Sequence, residues 1–161
     1  MREETVVGPL SNQAAADRLE QWISEATRAG ANVLCGGGRR GTVLDPTVVG
    51  NVSPDMRICS EEAFGPIVTV SRYGTFDEAV RALNQSDFGL QAGVFTRDVK
   101  KIFQAFRDLE VGTLLANEIP TFRADHMPYG GVKDSGIGRE GLRYAIQELT
   151  EPKLLVINTS C

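Results

Sequence analysis

Residues that bind soft metals or form disulfides are scarce in this chain, with three cysteines and one histidine among 161 residues. Cys35, Cys59 and Cys161 are odd in number and irregularly spaced, so neither a disulfide framework nor a zinc pattern can be read from them. No metal site is expected, and a reducing, cytoplasmic setting suits this thiol content best. No apolar run is long enough to cross a membrane. The opening Met1-Arg2-Glu3-Glu4 lacks the apolar core of a signal peptide. Basic runs stop at Arg39-Arg40 and Lys100-Lys101. With a net charge of -4 and a pI near 5.1, this argues against a nucleic-acid partner, which calls for a basic face. What is present is ordinary: 42% apolar and 24% charged residues are the proportions of a folded globular chain, not a disordered one.

Hydrophobic spacing organises the chain. A helix is predicted over residues 12–29, capped by Ser11 or Asn12, with Leu19, Trp22, Ile23 and Ala26 on one face. Gly30 suits the left-handed turn that ends such a helix. A short strand at 33–35 closes on Gly36-Gly37-Gly38, and a β-branched stretch at 47–52 runs into the turn signal Ser53-Pro54. Beyond Pro66, strands at 67–73, 90–96 and 112–116 alternate with helices at 75–86 and 98–109. Thr75 and Glu78 form a capping box at the first of these helices, and Val99, Ile102, Phe103 and Phe106 point inward from the second. Such alternation predicts an α/β fold with a mostly parallel open sheet and helices on both faces. Residues 118–136 are aperiodic and rich in Pro, Gly and charge, too long for a plain connection in a compact domain. A helix at 139–149 and an apolar strand at 153–158 finish the chain. Residues 1–150 read as one α/β unit and residues 151–161 as a terminal strand.

Two segments carry chemical interest. Glu61-Glu62-Ala63-Phe64-Gly65-Pro66 puts a carboxylate and a ring at the mouth of a strand, where open α/β sheets bind ligands. A carboxylate accepts two hydrogen bonds from a ribose diol, and a ring can lie against a flat heterocycle. The plain alternative is a solvated acid pair beside a core phenylalanine. The second segment, P-Y-G-G-V-K-D-S-G-I-G-R-E at 128–140, is a glycine-rich loop that another chain segment or a ligand can approach closely. It lacks the residue order of a P-loop, and no strand leads into it as a dinucleotide fingerprint requires. A structural loop is therefore its plain reading. Gly36-Gly37-Gly38-Arg39-Arg40 reads as a surface hairpin more readily than as an anion site.

A nucleophile is hard to find. Cys35 lies in an apolar strand pattern, where a buried, inert thiol is expected. Cys59 precedes Glu61 and Glu62, which should raise its pKa rather than activate it. Cys161 is terminal. The only histidine, His126, lies in the long loop, far in sequence from each cysteine.

At these two motifs the sequence resembles the aldehyde dehydrogenase superfamily, whose E-E-x-F-G-P matches 61–66. The family's P-F-G-G-x-K-x-S-G-x-G-R-E matches 128–140, with Tyr129 in place of the usual phenylalanine. Supporting matches include V-G-P-L at 7–10, D-P-T at 45–47 and G-V-F-T at 93–96, so the resemblance covers nearly the whole chain. It implies the C-terminal half of a catalytic domain plus a terminal oligomerisation strand. It also implies that Glu62 binds the nicotinamide-ribose hydroxyls of NAD or NADP and that Phe64 packs beside the nicotinamide. Tyr129 and the loop bearing Phe122, Arg123 and His126 would line the pocket of a small aldehyde. The family works by thiolate attack on the aldehyde, hydride transfer to NAD(P)+, and base-assisted hydrolysis of the thioester.

The family's catalytic cysteine sits in a G-Q-x-C segment and its base in an E-L-G-G-K segment, and neither occurs here. Cys35 and Cys59 fall outside the motif, and without the thiolate the covalent step cannot begin. The expectation is a catalytically silent part of an aldehyde dehydrogenase that binds cofactor weakly on its own. An unpaired sheet edge and the terminal strand should make it a homo-oligomer. The alternatives are a stand-alone binding or oligomerisation module of the same origin and an active protein with a new nucleophile. The G-R-E-G variant at 138–141, with Tyr144 following, resembles the semialdehyde and hydroxyaldehyde branch, in which Arg123 or His126 would meet a polar substrate tail.

Overall fold

The computed structural model describes residues 4–160. By its contacts the chain divides into two compact units, Met1–Tyr73 and Gly74–Cys161.

In the first unit, helix α1 spans Gln13–Arg28, and its start is fixed by Asn12, whose side chain accepts a hydrogen bond from the Ala15 amide at 2.8 Å. Such a cap satisfies one of the four amides that a helix start leaves without a partner. Ala16, Leu19, Trp22, Ile23 and Ala26 form its buried stripe, and Gly30 ends it in the left-handed region with φ 102°. Four strands follow: β1 (Asn32–Cys35), β2 (Arg39–Arg40), β3 (Val43–Leu44) and β4 (Thr47–Gly50). A single-turn helix α2 (Arg57–Ser60) and strand β5 (Ile67–Val70) complete the unit. β4 is central, antiparallel to β1 and parallel to β5. β2 and β3 pair as a hairpin, as expected for the glycine-arginine run. The α1 stripe packs with Ala31, Leu44, Val49 and Ile58 to form the core. Each fully buried large apolar side chain there contributes roughly 1.5–3 kcal/mol. Arg39 ties the hairpin to α1 through Asp17 at 2.6 Å and Glu20 at 2.7 Å.

The second unit opens with α3 (Phe76–Asn84), where the predicted capping box is formed between Thr75 and Glu78. Then come β6 (Phe88–Gly89), β7 (Gln91–Val94), α4 (Val99–Asp108), β8 (Thr113–Ala116), β9 (Val132–Lys133) and α5 (Leu142–Glu148). β7 and β8 are parallel, joined by α4 in the strand–helix–strand manner that parallel pairing requires. β6 pairs antiparallel with β9, a strand inside the glycine-rich loop.

Three expectations change. One mostly parallel sheet with helices on both faces is not what the described residues form. Their strands make four small sheets, parallel at β4–β5 and β7–β8 and antiparallel at β1–β4, β2–β3 and β6–β9. The inward face of α4 is largely bare: Val99, Phe103 and Phe106 are exposed and only Ala105 is buried. Residues 153–158 form no strand, and Leu154 to Ile157 are at least 70% exposed. The physical reason is common to all three. Periodicity in a sequence reports that a face needs cover, whereas the cover must come from elsewhere in the chain or from another one. β1 shows the same effect in miniature, since Cys35 is exposed where a buried thiol is expected, and Leu34 beside it is exposed as well.

Candidate functional site

The 61–66 segment links α2 to β5 and is held from three sides. The Arg18 guanidinium on α1 donates to the Ala63 carbonyl at 3.1 Å. A Cβ on Gly65 would overlap the Leu19 side chain, so a larger residue here would force that buried side chain to shift. The Pro66 carbonyl accepts from the Thr47 amide at 2.8 Å, which seats the segment at the start of the parallel β4–β5 pair. Between these anchors Phe64 has φ 46°, a left-handed conformation uncommon for a residue with a bulky side chain. Its ring is 79% exposed. Glu62 is exposed beside it, whereas Glu61 is engaged by Arg57 at 3.0 Å. The core-phenylalanine alternative is therefore excluded: the ring faces outward on a constrained backbone. An outward carboxylate that can accept hydrogen bonds, next to an outward ring, suits a ribose diol and a flat heterocycle.

In the second unit, the glycine-rich loop is closed at its neck by two backbone bonds between Tyr129 and Glu140, at 3.0 and 2.6 Å. The Arg123 guanidinium lies 4.3 Å from the centre of the Tyr129 ring and reaches the Glu140 carboxylate at 3.1 Å. Two of the expected pocket residues, Arg123 and Tyr129, are thus brought into contact. Phe122 and His126 are exposed on the same loop. Glu62 and Phe64 belong to the first unit and the four loop residues to the second.

Several residues that shape these segments escaped the sequence reading. Lys133 donates to the carbonyls of Asn84 at 2.7 Å and Ser86 at 2.9 Å and pairs with Glu110 at 2.7 Å. It places a cation where the last carbonyls of α3 lack partners. Arg139 donates to the carbonyls of Gly131 and Gly138, and the Ser135 hydroxyl accepts from the Gly89 amide. Cations recurring among glycines were the available signal: the loop is stapled through its own backbone carbonyls. Arg18 gave a weaker signal, its helical spacing to Trp22, over whose ring it lies at 4.9 Å.

The thiols differ from expectation in detail. Cys35 is exposed rather than buried. Burial pushes the Cys59 thiol up, and the nearby acid that adds to this is Asp55 rather than Glu61 or Glu62; a hydrogen bond with Thr69 acts the other way.

Residues 1–155 match the model of the aldehyde dehydrogenase family. The chain belongs to the aldehyde dehydrogenase family. It is 46% identical over 158 residues to 3-sulfolactaldehyde dehydrogenase of Priestia aryabhattai, covering 98% of this chain and 33% of that relative. It is 45% identical to sulfoacetaldehyde dehydrogenase of Neptuniibacter caesariensis, covering 98% and 34%. Among solved structures, aldehyde dehydrogenase 21 of Physcomitrella patens, in complex with the reaction product succinate, superposes with a TM-score of 0.95. It is 42% identical, and the match covers 99% of this chain and 33% of that one. A glyceraldehyde-3-phosphate dehydrogenase of Methanocaldococcus jannaschii complexed with NADP gives a TM-score of 0.87 at 36% identity, covering 92% of this chain and 32% of that one. The chain spans about a third of the length of the aldehyde dehydrogenases it matches.

Proposed function

We propose that this chain is the C-terminal part of an NAD(P)-dependent aldehyde dehydrogenase that oxidises a short aldehyde with an anionic tail to the acid. Residues 1–150 contribute part of the catalytic domain and residues 151–161 the segment that assembles subunits. In this reading its strands become part of one mostly parallel sheet only when the rest of the enzyme supplies the neighbours.

Each motif takes a defined share of the work. Glu62 accepts hydrogen bonds from the nicotinamide-ribose hydroxyls, and the outward Phe64 ring lies beside the nicotinamide. When bound, NAD(P)+ supplies the hydride acceptor. Tyr129, Phe122, Arg123 and His126 line the aldehyde side. Both the thiolate that would attack the aldehyde and the base that would release the acid belong to sequence segments this chain does not contain. It therefore supplies walls and orientation but no covalent chemistry, and on its own it holds cofactor weakly.

The observation that carries the substrate class is the Arg123–Tyr129–Glu140 cluster. It holds a guanidinium over an aromatic ring with a carboxylate partner at 3.1 Å. A planar cation held in this way suits bidentate binding of a carboxylate or sulfonate. The names of the relatives fit the same chemistry: sulfolactaldehyde, sulfoacetaldehyde and aspartate semialdehyde each carry an acidic group.

The test is NAD(P)H formation from short anionic aldehydes and neutral ones of equal length, with both cofactors supplied. It is run on the purified chain and on the chain joined to the complementary two thirds of the Priestia relative. The chain alone is expected to be silent and the joined enzyme active. Arg123→Ala should raise KM for the anionic aldehyde roughly ten- to a hundredfold, the value of a charge-assisted hydrogen bond, and leave the neutral one unchanged. Turnover by the chain alone would overturn the silent reading and make Cys35 and Cys59 the residues to replace. A second reading, a stand-alone oligomerisation module, draws on the exposed Leu154 to Ile157 segment. Co-purification with a full-length dehydrogenase, in the absence of any turnover by the joined enzyme, would favour it.

A further inference from the structure

Phe64 can present its ring outward only if the peptide plane before it is fixed, because that plane sets φ at residue 64. The carbonyl of that plane belongs to Ala63, and it accepts a hydrogen bond from Arg18, 45 positions earlier in the chain. Arg18 is itself constrained, since its guanidinium lies 4.9 Å from the centre of the Trp22 ring, and that ring is 1% exposed. Stacking on a buried indole holds the donor in place, and desolvation strengthens both the cation–π contact and the hydrogen bond. Arg57 lies over the same ring, also at 4.9 Å, and pairs with Glu61. The one tryptophan of the chain thus seats two guanidinium groups, and both reach into the 61–66 segment.

We propose that Arg18 is a positioning residue for the cofactor site: stacked on Trp22, it fixes the Ala63 carbonyl and so holds Phe64 in the left-handed conformation that turns its ring outward. This rests on the reading of Glu62 and Phe64 as cofactor contacts. A left-handed conformation strains a non-glycine residue and persists only where the surroundings over-determine it. The Gly65–Leu19 contact and the Pro66–Thr47 bond act on the far side of Phe64. Arg18 acts on the near side. Without it the Ala63–Phe64 peptide is free to rotate, and the ring loses its direction while the core beneath stays intact.

The test compares amide spectra of the full chain, native and Arg18→Ala, first without ligand and then titrated with NAD+ to millimolar concentration. Shifts are expected at residues 63–65, with the α1 and β4 amides in place and NAD+ binding about tenfold weaker. Arg18→Lys keeps a donor and should recover part of both effects. It also serves as the folded comparison should Arg18→Ala fail to fold. Unmoved 63–65 amides in a folded Arg18→Ala would overturn the proposal, as would unchanged NAD+ affinity where they do move. A native chain whose 62–65 amides ignore NAD+ would overturn the cofactor reading instead, with the ligand-free spectra still deciding what Arg18 does.

Discussion

Cys35 and Cys59 show how little a residue's type determines its chemistry. Cys35 lies exposed on β1, and Cys59 is half-buried, with its thiol pushed up chiefly by burial and further by Asp55. Only the thiolate alkylates at a useful rate. Iodoacetamide at neutral pH should therefore modify Cys35 well before Cys59, read by peptide mass. Because the folded-state pKa of Cys59 is raised, its protonated form favours the fold below the ordinary thiol range. That contribution is lost as pH rises through the raised value, so Cys59 should gain reactivity only at distinctly alkaline pH. Equal rates at neutral pH would contradict the burial seen here. Neither the exposure of Cys35 nor the acid acting on Cys59 was legible in the sequence, because both depend on which segments lie alongside.

Elements were legible where their determinants are local. Asn12 caps α1 and Thr75 with Glu78 caps α3, each within a few residues of the helix it starts. Replacing Thr75 with Ala should cost about 1 kcal/mol in denaturant unfolding, and Thr75→Ser should restore most of it. No loss with Ala would mean that α3 is held by packing alone. The inward face read for α4 failed for the opposite reason. Its period was correct, but Val99, Phe103 and Phe106 face no covering element among the described residues. β9 went unseen because two residues inside a glycine-rich loop have no period to read. Its pairing with β6 comes with Lys133 reaching the end of α3.

On the scale of the molecule, exposed apolar residues dominate the outlook. Leu154, Leu155, Val156 and Ile157 stand bare in a row, and the α4 face is bare as well. Contiguous apolar surface of this kind drives association. Sedimentation should show concentration-dependent assembly of the purified chain, and Leu155→Lys with Ile157→Lys should weaken it while leaving helix content unchanged. A monomer throughout the concentration range would count against a role for the terminal segment in assembly. Among the described residues no helix is long and apolar enough to cross a membrane.

By itself the sequence determined helices α1, α3, α4 and α5, the caps of α1 and α3, the glycine turn after α1, the strand–helix alternation and the two motifs that mark the family, while the single turn α2 went unread. These depend on interactions spanning a few residues or on residue order. The tertiary structure alone decided that Phe64 turns outward, that Arg18 grips the carbonyl before it, that Lys133 staples the loop to α3, and that the strands pair in small sheets. Those outcomes depend on contacts between residues tens of positions apart. Their geometry is set by how the chain closes on itself, and no local pattern encodes that.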